Sequence, residues 1–184
     1  MKPILPGTIL ISEPYLGDPN FERAVVIVCS HSEEGTFGLV VNRKSTLKFT
    51  DVLELEQGAN FDQELGIGGP VQYNTLHYLH TLTDLDESIE LTGNLFWGGD
   101  FEQLKSRIEN GLVQPHQVRF FLGYSGWSEG QLEEELENNL WIINKTAANK
   151  LFNLDAETLW RTILKDMGGK YKMFANYPLD PSMN

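Results

Sequence analysis

Apolar residues in the first quarter of the chain come in short unbroken runs, not at helical spacing. "TILIS" (8–12), "AVVIVCS" (24–30) and "FGLVVN" (37–42) predict strands, and the latter two are too continuously apolar to leave one face in water. "HSEEGT" between them is polar and ends near a glycine, which suits a hairpin loop, so the two strands should pair antiparallel in the interior. "TDVLELE" (50–56) reads as a short helix, with Thr50 available as a cap. "ELGIGGPV" (64–71) reads as a strand and then a turn, because Gly68-Gly69-Pro70 interrupts a ladder. "TLHYLHT" and "SIELTGNLFWGG" predict further strands, joined by the acidic loop around Asp84 to Glu87.

Helical periodicity appears later. In "DFEQLKSRIENG", Asp100 is placed to cap with Gln103 returning the bond, Leu104 and Ile108 share one face, and Gly111 stops the helix. "QVRFFLGYS" (117–125) predicts a strand and "LWIIN" (140–144) another. "NLDAETLWRTILKDMGG" carries the clearest amphipathic stripe, Leu159, Ile163 and Met167 widened by Trp160 and Leu164. Strands and helices in this order, without strict β-α-β alternation, predict a single α+β domain over 1–170, and the proline-containing end, 171–184, an extended C-terminal tail.

One stretch invites a catalytic interpretation. Ser125 lies between Gly123 and Trp127 in "GYSGWSEGQLEEEL", at a predicted strand-to-helix junction. The nucleophile elbow needs a second glycine two residues after the serine, where this chain has Trp127, and all four histidines precede Ser125. A His80–Asp100–Ser125 set is an arrangement that nothing in the spacing proposes. The alternative is a helix start: Ser128 and Gln131 match a capping box, Trp127 and Leu132 a hydrophobic staple, and Glu133, Glu134, Glu135 and Glu137 face water. That leaves only Ser125 without a structural role, and serines in turns commonly bond backbone.

Composition narrows the classes. With 26 acidic and 14 basic residues the net charge is −12, which opposes binding to a polyanion. Two local basic groups, Arg43 with Lys44 and Lys48, and the six bases between 145 and 172, sit in no recognisable nucleic-acid motif. Direct nucleic-acid binding is therefore not expected. Cys29 is the lone cysteine, which excludes an internal disulfide and suits a reducing cytosol; in its apolar run it reads as a small buried hydrophobe. No apolar stretch is long enough to span a membrane, and the N-terminus lacks signal-peptide form.

Metal and nucleotide motifs are missing. His77 and His80 fall on opposite faces of a strand, "GIGGPV" is not a dinucleotide fingerprint, and "MGGKY" is not a P-loop. No cofactor or metal is expected. "VVNRK" is where an anionic ligand would be sought: Asn42 tolerates turn geometry and the Arg43 guanidinium suits carboxylate or phosphate, though a strand-end turn with a surface ion pair is the favoured reading.

The stretches "PGTILISEPYLGDPNFERAVVIVCSH", "GTFGLVVNRK", "GIGGPVQYNTLHYLH", "FFLGYSGWSEGQLEEEL" and "LWII", in this order, resemble the AlgH/YqgE family of bacterial proteins, whose biochemistry is largely unassigned. Lys44 departs from the family pattern, which usually has proline after Asn-Arg. The resemblance implies an α+β fold around a mixed, mostly antiparallel barrel-like sheet flanked by helices, and a cytoplasmic location. It also implies a link to transcriptional regulation, since one member is connected with control of exopolysaccharide production. The family supplies no catalytic residues to carry over. Asn42, Arg43, Gly69, Ser125 and Trp127 match its motifs and are the candidate binding residues. The expected role is regulatory, through a protein partner or a small anionic ligand. A hydrolase or transferase with a pocket near Ser125 and Arg43 is the first alternative, and a direct DNA-binding regulator the second.

Overall fold

The first strands of the chain alternate their side chains between two buried sides, which is why they read as unbroken apolar runs. The computed structural model describes residues 3–56, 59, 61–144, 151 and 155–177. Its strands are β1 (Ile9–Ser12), β2 (Val25–Ser32), β3 (Gly35–Val40), β4 (Lys44–Lys48), β5 (Glu64–Ile67), β6 (Val71–His80), β7 (Ile89–Thr92), β8 (Leu95–Trp97), β9 (Val118–Ser128) and β10 (Trp141–Asn144). The helices are α1 (Phe49–Val52), α2 (Phe101–Glu109), α3 (Gln131–Glu137), α4 (Ala156–Met167) and α5 (Gly169–Phe174).

The sheet runs β10-β1-β2-β3-β9-β6-β8-β7, with β4 and β5 branching from β9. Every pairing is antiparallel except β5 with β9. It curls as a barrel would, since a Cβ on Gly7 would lie 2.6 Å from the Leu91 carbonyl oxygen. No ladder joins β7 to β1, however, so the sheet is open.

Three cores follow from the alternation. Ile9, Ile11, Val25, Ile27, Cys29 and Leu39 point inward against Leu159, Trp160, Ile163 and Leu164 of α4. Leu10, Val26, Val28 and Val40 point outward against Leu132 of α3, with Trp127 and Trp141. Phe49, Phe61 and Phe120 fill a third core with Leu104 and Ile108 of α2. Each strand of the β1–β3 meander is thus covered on both faces, as parallel-sheet strands are, although its pairing is antiparallel.

Several expectations need correction. Asp100 does cap α2, accepting from the Gln103 amide at 3.0 Å, but the Gln103 side chain turns instead to Asp86, accepting from its backbone N–H and donating to its carboxylate. The strand β9 continues to Ser128, so α3 starts at Gln131 behind a left-handed Gly130. Half of the expected capping box survives, with the Ser128 N–H donating to Gln131 Oε1 at 3.0 Å. Trp127 and Leu132 share a core, as a staple requires. The segment expected to be an extended tail from 171 instead belongs to α5 up to Phe174 and packs Tyr171 and Phe174 on the inner core. The rest of that expected tail, 178–184, lies outside the described residues.

Candidate functional site

The sequence-selected residues turn out to be architectural. Ser125 is fully buried and donates to the Gly68 carbonyl at 3.0 Å, so it opens onto no cleft. Its neighbourhood is a backbone crossing. β5 lies along one edge of β9 at Phe121 and Leu122, and β6 along the other. Between them Gly68-Gly69-Pro70 must pass over β9, whose vacated edge is then taken by β3 from Ser125 onward. A Cβ on Gly68 would lie 2.3 Å from the Gly123 carbonyl oxygen, and one on Gly69 (φ +152°) 2.3 Å from that of Tyr124 and 2.4 Å from Ser125 Oγ. Only glycines permit so close an approach.

Asn42 completes the β2 edge: it accepts from Val25 N–H at 2.8 Å and donates to the Arg23 carbonyl at 2.9 Å. The Arg43 guanidinium donates to the carbonyls of Pro19 and Glu22, both at 3.2 Å, bracing that loop. Arg43 borders a cavity of about 540 Å³ whose rim carries Lys44, His116 and Arg119 but also Asp62, Glu64 and Asp155. Its charge is mixed, and Ser125 is not part of it. Trp127 donates through Nε1 to Glu135 Oε2 at 2.8 Å, and Trp141 to the same oxygen at 2.6 Å. Glu135, expected to face water, instead holds two buried indoles.

The histidines divide similarly. His80 is buried, donating from Nε2 to the Gly98 carbonyl at 2.8 Å and accepting at Nδ1 from Leu82 N–H at 3.2 Å; burial lowers its pKa. It touches neither Asp100 nor Ser125. One hydroxyl–imidazole–carboxylate row does exist, and sequence spacing did not reveal it. Thr36 Oγ1 is 2.8 Å from His31 Nδ1, and His31 Nε2 is 3.4 Å from Glu133 Oε1. Thr36 and His31 are cross-strand partners in the β2–β3 hairpin, with Thr36 itself buried, so the row ties that hairpin to α3. No group of three or more His, Cys, Asp or Glu among the described residues could hold a metal ion.

A different feature has the form of a binding site. Between β6, β8, α1 and the start of α2 lies a mainly apolar cleft of about 590 Å³. Leu53, Leu76, Tyr78, Trp97, Phe101 and Leu122 form its walls. Its mouth is unusually apolar: Leu47 and Val52 are each 40% exposed and Tyr73 58%. Tyr78 holds its base by donating from its hydroxyl to the Gly99 carbonyl at 2.6 Å.

The rim is built by a bulge. Against β9 the register jumps from Val71–Tyr124 to Leu76–Leu122, so β6 carries extra residues there. Gln72 adopts φ +47°, uncommon for a residue with a side chain, and Tyr73 and Asn74 are pushed to the lip. Thr75 Oγ1 donates to the Gln72 carbonyl at 2.8 Å, closing the bulge, and lies 3.1 Å from His77 Nε2. The His77 ring also meets Phe37 and Tyr124 edge-on, and burial lowers its pKa. Bulges beside sites re-aim side chains in this way.

Fold and cleft together define the class: a single-domain α+β protein whose open sheet, ten-stranded among the described residues, leaves an aromatic-walled cleft against its outer helices. The chain belongs to the AlgH-like family, whose model (DUF179) matches residues 9–172. It is 46% identical over 180 residues to a UPF0301 protein of Cytophaga hutchinsonii, covering 97% of this chain and 98% of that one. It is 42% identical over 181 residues to a UPF0301 protein of Chlorobaculum tepidum, covering 97% and 95%. The solution structure of the AlgH protein from Pseudomonas aeruginosa superimposes with a TM-score of 0.71 at 30% identity, over 97% of this chain and 98% of that one. The crystal structure of protein DIP2367 from Corynebacterium diphtheriae shares the fold with a TM-score of 0.76 at 22% identity, over 96% and 94%.

Proposed function

We propose that this chain is a binding protein of the cytosol, regulatory and not catalytic, that takes a small molecule or a partner's side chain into the β6–β8 cleft. The cleft carries the reading: about 590 Å³ lies within the range of ligand pockets, its walls are apolar, and a few polar groups converge on them. The family's link to transcriptional control fits an indirect route through a protein partner, because a net charge of −12 opposes contact with DNA. A reducing cytosol suits the lone, buried Cys29, and no helix among the described residues is long and apolar enough to cross a membrane. A small anion is less suited to the cleft than to the mixed-charge cavity at Arg43, whose guanidinium already has carbonyl partners.

The test is a fragment screen read by amide chemical-shift perturbation on the whole chain. Apolar fragments are expected to move Tyr73, His77, Trp97 and Phe101 together. Val52→Trp, which adds bulk at an exposed rim position, should abolish those shifts. A screen in which no fragment perturbs these residues removes the reading.

The enzyme reading has one observation in its favour, the Thr36–His31–Glu133 row. It requires turnover by the wild type that Thr36→Val, which keeps the side-chain shape, eliminates. Equal activity in both proteins discards it.

A further inference from the structure

Exposed apolar surface and negative charge meet around the β6–β8 cleft. Its side chains form the outer layer of the third core: Leu53, Leu76, Phe101 and Leu122 are half-buried against that core and Tyr78 is buried within it. Of the eight large hydrophobic side chains exposed among the described residues, three, Leu47, Val52 and Tyr73, border this cleft. Exposed apolar side chains grouped at a pocket mouth mark an interaction surface, whereas single ones scattered elsewhere do not. A small molecule inside the cleft would leave that lip in water. A segment of another protein chain would cover cleft and lip together.

The charge around the cleft has one prevailing sign. The stretches that carry its lining, 47–54, 73–78 and 97–102, hold the carboxylates Asp51, Glu54, Asp100 and Glu102 against a single lysine, Lys48. Lys48 is already paired, with Asp62 at 2.8 Å. The cations of α2 are engaged as well, Lys105 with Glu109 and Arg107 with Asp84. Asp51 and Asp100 each accept a backbone N–H at a helix start. Glu54 and Glu102 are exposed and take part in no ion pair among the described residues. Glu54 follows Leu53 and Glu102 follows Phe101, so each is next in the chain to a wall residue. Such a rim repels phosphate-bearing surfaces and attracts cations. Rim charges of this kind select a partner more than they add affinity.

We infer that the cleft docks a short cationic segment of a protein partner, whose apolar side chain enters against Leu76, Phe101 and Leu122 while lysine or arginine beside it meets Glu54 and Glu102. This rests on the cleft being the binding site and adds the partner's chemistry. The desolvated apolar anchor supplies most of the affinity. Exposed ion pairs contribute modestly, and two of them together favour the cationic segment by roughly 2- to 30-fold at low ionic strength.

The probes are the tetrapeptide acetyl-Arg-Leu-Phe-Arg-amide and its counterpart with citrulline in place of both arginines, which keeps the shape and removes the charge. Each is titrated into the whole chain and followed by amide chemical shifts. Both should move Tyr73, Leu76 and Phe101, and the arginine peptide should bind roughly 2- to 30-fold more tightly at low ionic strength. In Glu54→Gln/Glu102→Gln that ratio should fall to about one, since both ion pairs are lost. Glu129→Gln/Glu137→Gln removes as much charge beside and within α3, which packs on a different core, and should leave the ratio unchanged. All four glutamates are exposed, so the variants keep their cores intact. Equal affinity of the two peptides for the wild type, a preference that survives Glu54→Gln/Glu102→Gln, or shifts away from the cleft overturns the inference. Apolar fragments that bind where neither peptide does would make the occupant a small molecule and overturn it too, with the cleft still a site. Only an empty fragment screen removes the cleft as well.

Discussion

The hydroxyl of Ser125 donates to the carbonyl oxygen of Gly68 at 3.0 Å, across 57 residues of chain, at the point where one backbone passes over another. The same carbonyl accepts from Val40 N–H at 2.8 Å. Gly68 thereby joins β3 to the crossing, and Ser125 locks the crossing to β9. Gly68 and Gly69 on one segment and Gly123 on the other are two halves of one device, each lacking a Cβ where the other passes.

Ser125→Ala should therefore fold and lose only about 0.5–1.5 kcal/mol, since the Gly68 carbonyl keeps its Val40 partner. Gly69→Ala should be far worse, because its Cβ would meet the Tyr124 carbonyl at 2.3 Å. Urea denaturation of the first, and recovery of soluble folded protein for the second, check this pair. Equal stability of both variants would contradict the crossing.

Glu135 gives a second prediction. Its Oε2 receives both indole N–H groups, and its Oε1 receives the Gln131 amide at 2.9 Å. Glu135→Ala leaves two buried indole donors without that acceptor and should cost about 1–3 kcal/mol. Near-ultraviolet circular dichroism should change as well, because Trp127 and Trp141 meet edge-on at 5.8 Å and would lose their common anchor. A variant as stable as wild type with an unchanged spectrum would show the carboxylate to be ornamental.

What could be read from the sequence was local. Continuous apolar runs such as "AVVIVCS" identified strands covered on both sides, and the stripe of α4 announced the helix that packs across the inner face. The family resemblance held, since its motifs occupy nearly the whole chain. What escaped reading depended on partners distant in sequence. The strand β9 runs on through Trp127 and Ser128 because β3 pairs with it there, overriding a good capping box. Ser125 looked chemical because its acceptor, Gly68, lies far away in the chain. The β6 bulge left a faint trace, the polar stretch Gln72 to Thr75 before "LHYLH", but the extra residues have meaning only against β9. The cleft was illegible for the same reason, as its walls come from elements spread along the chain from Leu53 to Leu122.

Acid should destabilise the protein below the ordinary histidine range. Burial lowers the pKa of His80, and of His77, from the usual 6.5. Above that value both states are neutral at these rings and they contribute nothing to the pH dependence. As pH falls through 6.5 the unfolded chain takes up protons that the folded chain refuses, so stability declines until the folded pKa is reached. Protonation of His80 at Nδ1 would also cost the Leu82 N–H its acceptor. The urea midpoint should drop between about pH 7 and pH 5.5, above most carboxylate titration, and His80→Gln should flatten that slope. A wild-type midpoint that is constant across the interval would refute the assignment.

Cys29 should be silent toward thiol reagents until the protein unfolds. It lies in the inner core among Ile27, Leu39 and the α4 side chains, its Sγ facing the Ile27 carbonyl at 3.8 Å. Burial pushes its thiol well above the ordinary range, so almost no thiolate exists at neutral pH, and the thiolate is the reactive species. Ellman's reagent should therefore react at the rate of global opening, not at the rate of an exposed thiol. Labelling should accelerate with urea in step with the loss of circular dichroism. Destabilising the core from a distance, for instance through Glu135→Ala, should speed labelling by the factor by which it raises the unfolded population. Fast labelling of the untouched native chain would mean that the inner core opens locally, and α4 would then be the element to suspect, since it covers the face on which Cys29 lies.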